Sequence, residues 1–200
     1  QATLNWVGGF IGYVSSTAAF NNCQEKNVNI LGRYAGGLVG AIDGNITVSN
    51  MKLVKVMAVT NRADTKCAGL ITGNTANNDS TDKKKYPDNN VKGYNILADS
   101  CKTGYNGSAN VEALSNSNIQ TMSDCGFWIG KNGAKRSTTI NLTAVAAKGK
   151  VFPQKDIGTQ NGSATIIYAD ASVDQKYNPT KTTDKPSSSA APWLDVNPKS

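Results

Sequence analysis

A short pattern of glycine and apolar residues recurs along the first third of the chain. The clearest copy is residues 36–40, Gly-Gly-Leu-Val-Gly, with an earlier copy at residues 8–12 and a looser one at residues 68–73. A near-constant period is typical of repeat proteins, in which each unit buries its apolar face against its neighbours. From Gly9 to Gly37 is 28 residues and from Gly37 to Gly69 is 32. The glycines assigned to structural repeat positions are Gly9, Gly12, Gly37, Gly40 and Gly69.

Apolar runs behind the glycine copies predict β-strands. Residues 28–31 form one such run, and residues 54–59 form another. In the second run, alternation places Val54, Val56 and Ala58 on an inward face. Lys55 then points outward.

The second half of the chain continues in the same manner. Alternation in residues 91–98 assigns Tyr94 to the face that carries Ile96 and Ala98. A further glycine copy at residues 126–130 contains Trp128, which is expected to cap the core rather than to stack on a sugar. More strands are predicted at residues 138–147 and 164–169.

These patterns predict an all-β fold, a β-solenoid (β-helix-like) built from Gly-rich repeats of about 28–32 residues. The solenoid domain is expected to span residues 1–176, with a long polar loop at residues 74–90. Residues 177–200 are rich in Pro, Ser and Lys, and this composition is typical of a linker or C-terminal tail.

Composition narrows the choice of partners. The net charge is +7 and comes mostly from scattered Lys. The run Lys83-Lys84-Lys85, followed by Tyr86, is the candidate contact with an acidic host or wall glycan or protein. Nucleic acid is not expected as a partner, because stacking aromatics do not interleave with the basic residues.

No apolar run predicts membrane insertion. The chain begins with Gln1 and shows no signal peptide, so we expect a mature piece of a longer protein.

The cysteines leave two readings open. None of the four belongs to a C-x-x-C pair and the chain has no His, so a structural zinc site is not expected. Cys67 and Cys125 each precede a glycine-apolar strand and are predicted to occupy similar repeat sites. Either the cysteines are buried thiols, or one or two disulfides form among Cys23, Cys67, Cys101 and Cys125.

The Gly-apolar-apolar-Gly repeats at residues 9–12 and 37–40, each followed by a polar stretch containing Asn, resemble the GLUG motif. Residues 126–130 look like a diverged copy. That motif recurs in large secreted and wall-attached bacterial proteins, including haemagglutinin-like adhesins and non-catalytic regions of immunoglobulin-A peptidases. The resemblance implies an extracellular, cell-surface location and a structural or adhesive role.

Candidate chemistry is sparse. The absence of His excludes Ser-His-Asp and Cys-His catalysis. Paired carboxylates for glycoside chemistry would have to come from Asp99, Asp124, Asp170 and Asp174, whose spacing suits ordinary turns better. The Asp- and Asn-rich residues 77–82 are a poor match to a calcium loop, so no cofactor or metal is expected.

The sequence therefore predicts a non-enzymatic structural or adhesive module of a secreted or wall-attached bacterial surface protein. One alternative is a carbohydrate-processing β-helix domain. The other is a self-assembling filament subunit whose solenoid ends stack, because uncapped ends expose strand edges.

Overall fold

A computed structural model describes residues 5–64, 67–75, 88–108, 110–133, 138–149 and 154–168. This part of the chain is all-β and contains a single 3₁₀ turn, Val111–Ala113, as its helical element. The strands are β1 (Trp6–Gly8), β2 (Ile11–Val14), β3 (Thr17–Asn21), β4 (Gln24–Gly32), β5 (Tyr34–Gly36), β6 (Val39–Ile42), β7 (Asn45–Thr60), β8 (Cys67–Gly69), β9 (Thr72–Thr75), β10 (Asn89–Asp99), β11 (Lys102–Tyr105), β12 (Ile129–Asn132), β13 (Thr138–Lys148), β14 (Ile157–Gln160) and β15 (Ser163–Tyr168). The predicted tail at residues 177–200 lies outside the described residues.

In the described residues, the strands pair in parallel and form three sheets. The first sheet has the order β1-β5-β8, and the second has the order β14-β12-β9-β6-β2. The third has the order β11-β7-β10-β13-β15, and β3 and β4 also pair with β7. Successive stretches of chain return to the same sheets: the first three contribute strands to all three sheets, and the last two contribute strands to the second and third sheets. We call these stretches layers: β1–β4, β5–β7, β8–β11, β12–β13 and β14–β15.

The register differs by one residue from the expected alignment of the third glycine copy. Gly36 lies beside Gly69, and Val39 lies beside Thr72. The repeat between these layers is therefore 33 residues, since 69 minus 36 is 33. Leu70 follows Gly69 and takes the place that Gly37 holds in the layer before. Residues 69–73 therefore align with residues 36–40 without an inserted residue.

Glycine is required where the first and second sheets pack back to back. A Cβ on Gly130 would lie 2.3 Å from the Gly73 carbonyl oxygen and 2.7 Å from the Ala68 nitrogen. Both are backbone atoms and cannot move aside as a side chain can. The close approach of β12 to β9 in its own sheet and to β8 of the first sheet therefore depends on the missing side chain.

Two columns of residues with positive φ turn the long strands of the third sheet. The first column contains Asn22, Asn50, Asn95 and Ala144, with φ between 51° and 59°. Asn50 Nδ2 donates to Asn22 Oδ1 at 2.9 Å, and Asn95 Nδ2 donates to Asn50 Oδ1 at 2.6 Å. Asn tolerates this backbone conformation. The same asparagines therefore form the corner and hydrogen-bond from one layer to the next. The second column contains Asn27, Lys55, Ser100 and Gly149.

These corners overturn two predictions of side-chain direction. Val54 is half-buried rather than inward, and Leu53 lies in the core instead. Tyr94 is 47% exposed and points outward, while Gly93 faces the interior. In both strands the corner residue, Lys55 or Asn95, interrupts the alternation of faces and shifts its phase by one.

The core runs between the sheets along the stack of layers. Trp128 is fully buried, as predicted, and contacts Phe127 edge to face, with the ring centroids 4.9 Å apart. Its Nε1 donates to the Tyr168 hydroxyl at 2.9 Å, and that hydroxyl donates to Asp156 Oδ1 at 2.7 Å. This chain of bonds joins the fourth layer to the fifth. Burial and the neighbouring Asp156 raise the pKa of Tyr168 well above its usual value, so its hydroxyl keeps the proton that it donates.

The first layer carries a buried carboxyl in an otherwise apolar column. Glu25 lies beside Leu53, and the next layers place Ala98 and Ala147 at the same position. Glu25 is 6% exposed, and neither carboxylate oxygen has a hydrogen-bond partner. Burial raises its pKa from 4.5 to about 7. The folded chain thus favours the protonated form.

Replacing Glu25 with leucine is expected to flatten the dependence of stability on pH. Because the pKa of Glu25 is higher in the folded state, its contribution is fully present below pH 4.5 and is lost as the pH rises through 7. The variant should therefore be more stable than the parent above pH 7, by roughly 1–2 kcal/mol once partial solvation of the first layer is allowed for. The measurement is the melting temperature from pH 4 to about 8.

Exposed Glu112 provides the matched control. The Glu112→Leu variant should keep the parent's slope. A parent chain whose stability does not fall between pH 4.5 and 7 would contradict the role given to Glu25.

Candidate binding face

The third sheet presents a broad polar surface to solvent, which we call the outer face. Five parallel strands contribute to it, each with three outward side chains, in matched register except at Ile167, where the pairing of β13 with β15 is irregular. The face consists of Thr17, Ala19, Asn21, Asn45, Thr47, Ser49, Asn90, Lys92, Tyr94, Thr139, Asn141, Thr143, Ser163, Thr165 and Ile167. All but three carry a hydroxyl or an amide, and none is acidic. Such a surface can offer many hydrogen bonds without the desolvation cost of a dense charge.

A shallow depression of about 230 Å³ lies near the middle of the outer face. Lys92 and Tyr94 of β10 border it, together with Thr47 and Ser49 of β7 and with side chains of β13. Its volume is below that of clefts that enclose drug-sized ligands. A single ring lying against Tyr94 suits this shape better than an enclosed molecule.

Hydrogen bonds between layers hold several of these side chains in place. Ser49 Oγ donates to Asn21 Oδ1 at 2.6 Å, and Asn90 Nδ2 donates to Asn45 Oδ1 at 3.0 Å. These groups are already held in place by the hydrogen bonds, so the side chains would lose less conformational entropy when a ligand binds. Tyr94 and Lys92 rise from the same strand two residues apart.

The contact residues predicted from the sequence are only partly placed. Lys83, Lys84, Lys85 and Tyr86 lie outside the described residues, within the predicted loop at 74–90. That segment leads into β10, which carries Lys92 and Tyr94. Sequence reasoning missed Tyr94 because it assigned this residue to the core. The signal that could have found it is Asn95, the counterpart of Asn22 and Asn50 at a corner.

The candidate carboxylates are also only partly placed. Asp99 ends β10 in the third sheet and accepts a hydrogen bond from Ser100 Oγ at 2.9 Å. Asp124 lies next to the bridge that extends the first sheet, and Thr159 Oγ1 donates to it. Asp170 and Asp174 lie outside the described residues. Within the described part of the chain, no cluster of three or more His, Cys, Asp or Glu residues could hold a metal ion.

The cysteines are thiols in this structure, with no disulfide among the four. Cys125 lies beside Ala68, so Cys67 and Cys125 are offset by one strand position. Successive side chains in a strand point to opposite faces, and the two therefore do not occupy the same repeat site. Burial raises the pKa of Cys101 to about 12 and raises that of Cys67 further, which keeps both thiols protonated and unreactive.

In the residues that the structure describes, no helix is long and apolar enough to cross a membrane. Comparison with protein-family models, with curated proteins and with solved structures finds no match.

Proposed function

We propose that this chain is a β-solenoid module of a secreted or wall-attached bacterial surface protein, and that it binds glycan without enzymatic activity. The solenoid proposal is supported by the repeated parallel registers, which return the chain to all three sheets in at least four successive layers when the bridge of Cys125 to Ala68 is included. The bacterial surface location rests on the resemblance of the glycine copies to the GLUG motif.

The outer face is the observation that carries the binding proposal. Tyr94 is 47% exposed, and its ring offers a surface against which the C–H face of a sugar can pack. Amides and hydroxyls around it can exchange hydrogen bonds with sugar hydroxyls. Lys92 adds a positive charge beside the ring, which favours glycans that carry carboxylate or sulfate groups.

Binding is expected to depend on Lys92 and Tyr94 together. We would measure the affinity of the whole chain for a panel of neutral and acidic polysaccharides by calorimetry. The double variant Lys92→Ala, Tyr94→Ala should lose about tenfold or more in affinity for the best ligand, a change of roughly 1.4 kcal/mol. Its melting temperature should stay unchanged, because both side chains are exposed.

The control is Val111→Ala, an exposed apolar residue of the 3₁₀ turn. Its affinity should equal the parent's. Full affinity in the double variant would remove the outer face as the site. Replacing residues 78–88 with a Gly-Ser linker would then test the contact predicted at Lys83, Lys84, Lys85 and Tyr86. Reproducible release of sugar products by the parent chain would contradict the non-enzymatic proposal.

A further inference from the structure

Three Asn-Gly pairs occur in the chain, at residues 106–107, 132–133 and 161–162. An asparagine followed by glycine is prone to lose its side-chain amide, because no side chain hinders attack by the glycine nitrogen. Asn106 and Asn161 are both followed by Gly and then Ser. A difference in reactivity between these two sites would therefore reflect the fold.

The reaction joins atoms of adjacent residues. The backbone nitrogen of Gly107 attacks Cγ of Asn106, the Cγ–Nδ2 bond breaks, and Nδ2 leaves as ammonia with the proton of the Gly107 N–H. The product is a cyclic imide. Water then adds to either carbonyl of the ring and opens it. Breaking the bond from nitrogen to Cγ gives aspartate, and breaking the bond from nitrogen to the main-chain carbon gives isoaspartate.

The surroundings of Asn106 favour this attack. The Ser108 N–H donates to Asn106 Oδ1 at 2.8 Å. This bond closes a ring of atoms that contains both Cγ of Asn106 and the nitrogen of Gly107, so it holds the reacting groups on the same side of the turn. It also places a donor on the oxygen where negative charge develops during the attack. Gly107 is exposed, so water can reach the pair.

The other two pairs are held in the layers. Asn132 is fully buried in β12, and the Gly133 N–H donates to Thr75 Oγ1 at 2.9 Å, so this nitrogen is already engaged. Asn161 donates through Nδ2 to the Gly133 carbonyl oxygen and through its own N–H to the Asn132 carbonyl oxygen. These bonds fix Asn161 against the fourth layer, which limits the movement of its Cγ toward the Gly162 nitrogen.

A hydrogen bond from Asn106 gives the reaction a structural consequence. Asn106 Nδ2 donates to the Asn118 carbonyl oxygen at 3.0 Å. In the same loop, Leu114 and Ile119 close a small apolar cluster with residues of β4 and β7. Loss of the amide removes the donor and leaves a carboxylate beside the Asn118 carbonyl, where the two oxygens repel.

We propose that Asn106 is a site of spontaneous deamidation, and that its conversion loosens the cover that residues 110–119 form over this apolar cluster. The reaction needs water and no enzyme, so its extent grows with the age of the molecule. Older molecules expose apolar surface that newly made ones cover.

Peptide mapping of the whole folded chain by mass spectrometry, after incubation at mildly acidic and mildly alkaline pH, tests the site. Asn106 should convert to aspartate and isoaspartate about tenfold or more faster than Asn161. The rate should rise with pH, because loss of its amide proton makes the Gly107 nitrogen a better nucleophile. In a chain unfolded by urea the two sites should convert at similar rates. Gly107→Ala should slow conversion at Asn106 and leave that at Asn161 unchanged.

Hydrogen exchange measures the consequence. Amides of residues 114–119 should exchange faster in Asn106→Asp than in the parent, while Asn161→Asp, the matched control, should leave them unchanged. A comparison of fresh and aged parent chain gives the same reading without a variant. Equal conversion at Asn106 and Asn161 in the folded chain, or undiminished conversion in Gly107→Ala, would overturn the site. Unchanged exchange at residues 114–119 after conversion of Asn106 would overturn the loosening.

Discussion

Replacing Gly130 with alanine is expected to destabilise the chain by about 3 kcal/mol or more, which is severe for a domain of this size. The new Cβ would lie within 3 Å of three backbone atoms: the Gly73 oxygen and the Ala68 nitrogen and oxygen. Relief requires β12 to move away from its neighbour β9 in the second sheet and from β8 of the first sheet, and this disrupts packing in the layers on both sides. Urea unfolding monitored by circular dichroism would measure the loss.

Gly107 offers a matched control for this change. It is exposed, and the nearest atom to a new Cβ would be the Tyr105 hydroxyl oxygen at 3.0 Å, the far end of a side chain. Neither glycine has a positive φ, so alanine suits both backbones. Gly107→Ala should change stability by less than about 0.5 kcal/mol. Equal effects in the two variants would show that the close approach of the sheets is not what requires glycine.

Replacing Tyr168 with phenylalanine is expected to cost about 3 kcal/mol. The change removes one oxygen that accepts from Trp128 and donates to Asp156. Trp128 is fully buried, so its indole N–H loses this acceptor where water does not reach. The free energy of unfolding and the near-ultraviolet circular dichroism of Trp128 should both change.

Tyr94→Phe is the control, since the Tyr94 ring lies on the outer face and is 47% exposed. Its hydroxyl removal should leave stability unchanged within about 0.5 kcal/mol. If Tyr168→Phe were as mild as this, the bonds between Trp128, Tyr168 and Asp156 would not be what joins the last two layers.

The sequence was sufficient for the strand-rich fold class and for the burial of Trp128, because the glycine copies and apolar runs are local patterns. It misplaced Gly69 by one position, because Leu70 in the place of a glycine made two alignments look equally good. It also misassigned Val54 and Tyr94. A corner residue with positive φ changes the phase of a strand, and the sequence shows no break in alternation at such a point.

Contacts between residues far apart in the sequence could not be predicted from local patterns. Trp128 and Tyr168 are 40 residues apart, and their hydrogen bond depends on the register of β13 with β15. The outer face depends in the same way on five strands aligning. Once the corners are known, its residues follow from simple alternation.

At the corner between the second and third sheets, the connections differ in length while the strands on either side keep their register. Between β6 and β7 the chain crosses it with Asp43 and Gly44 alone, whereas between β9 and β10 it uses residues 76–88. The strands on either side stay aligned, since Ile42 lies beside Thr75 and Asn45 lies beside Asn90. This corner is therefore a natural insertion port, where new sequence can be displayed without disturbing the ladders that hold the layers together.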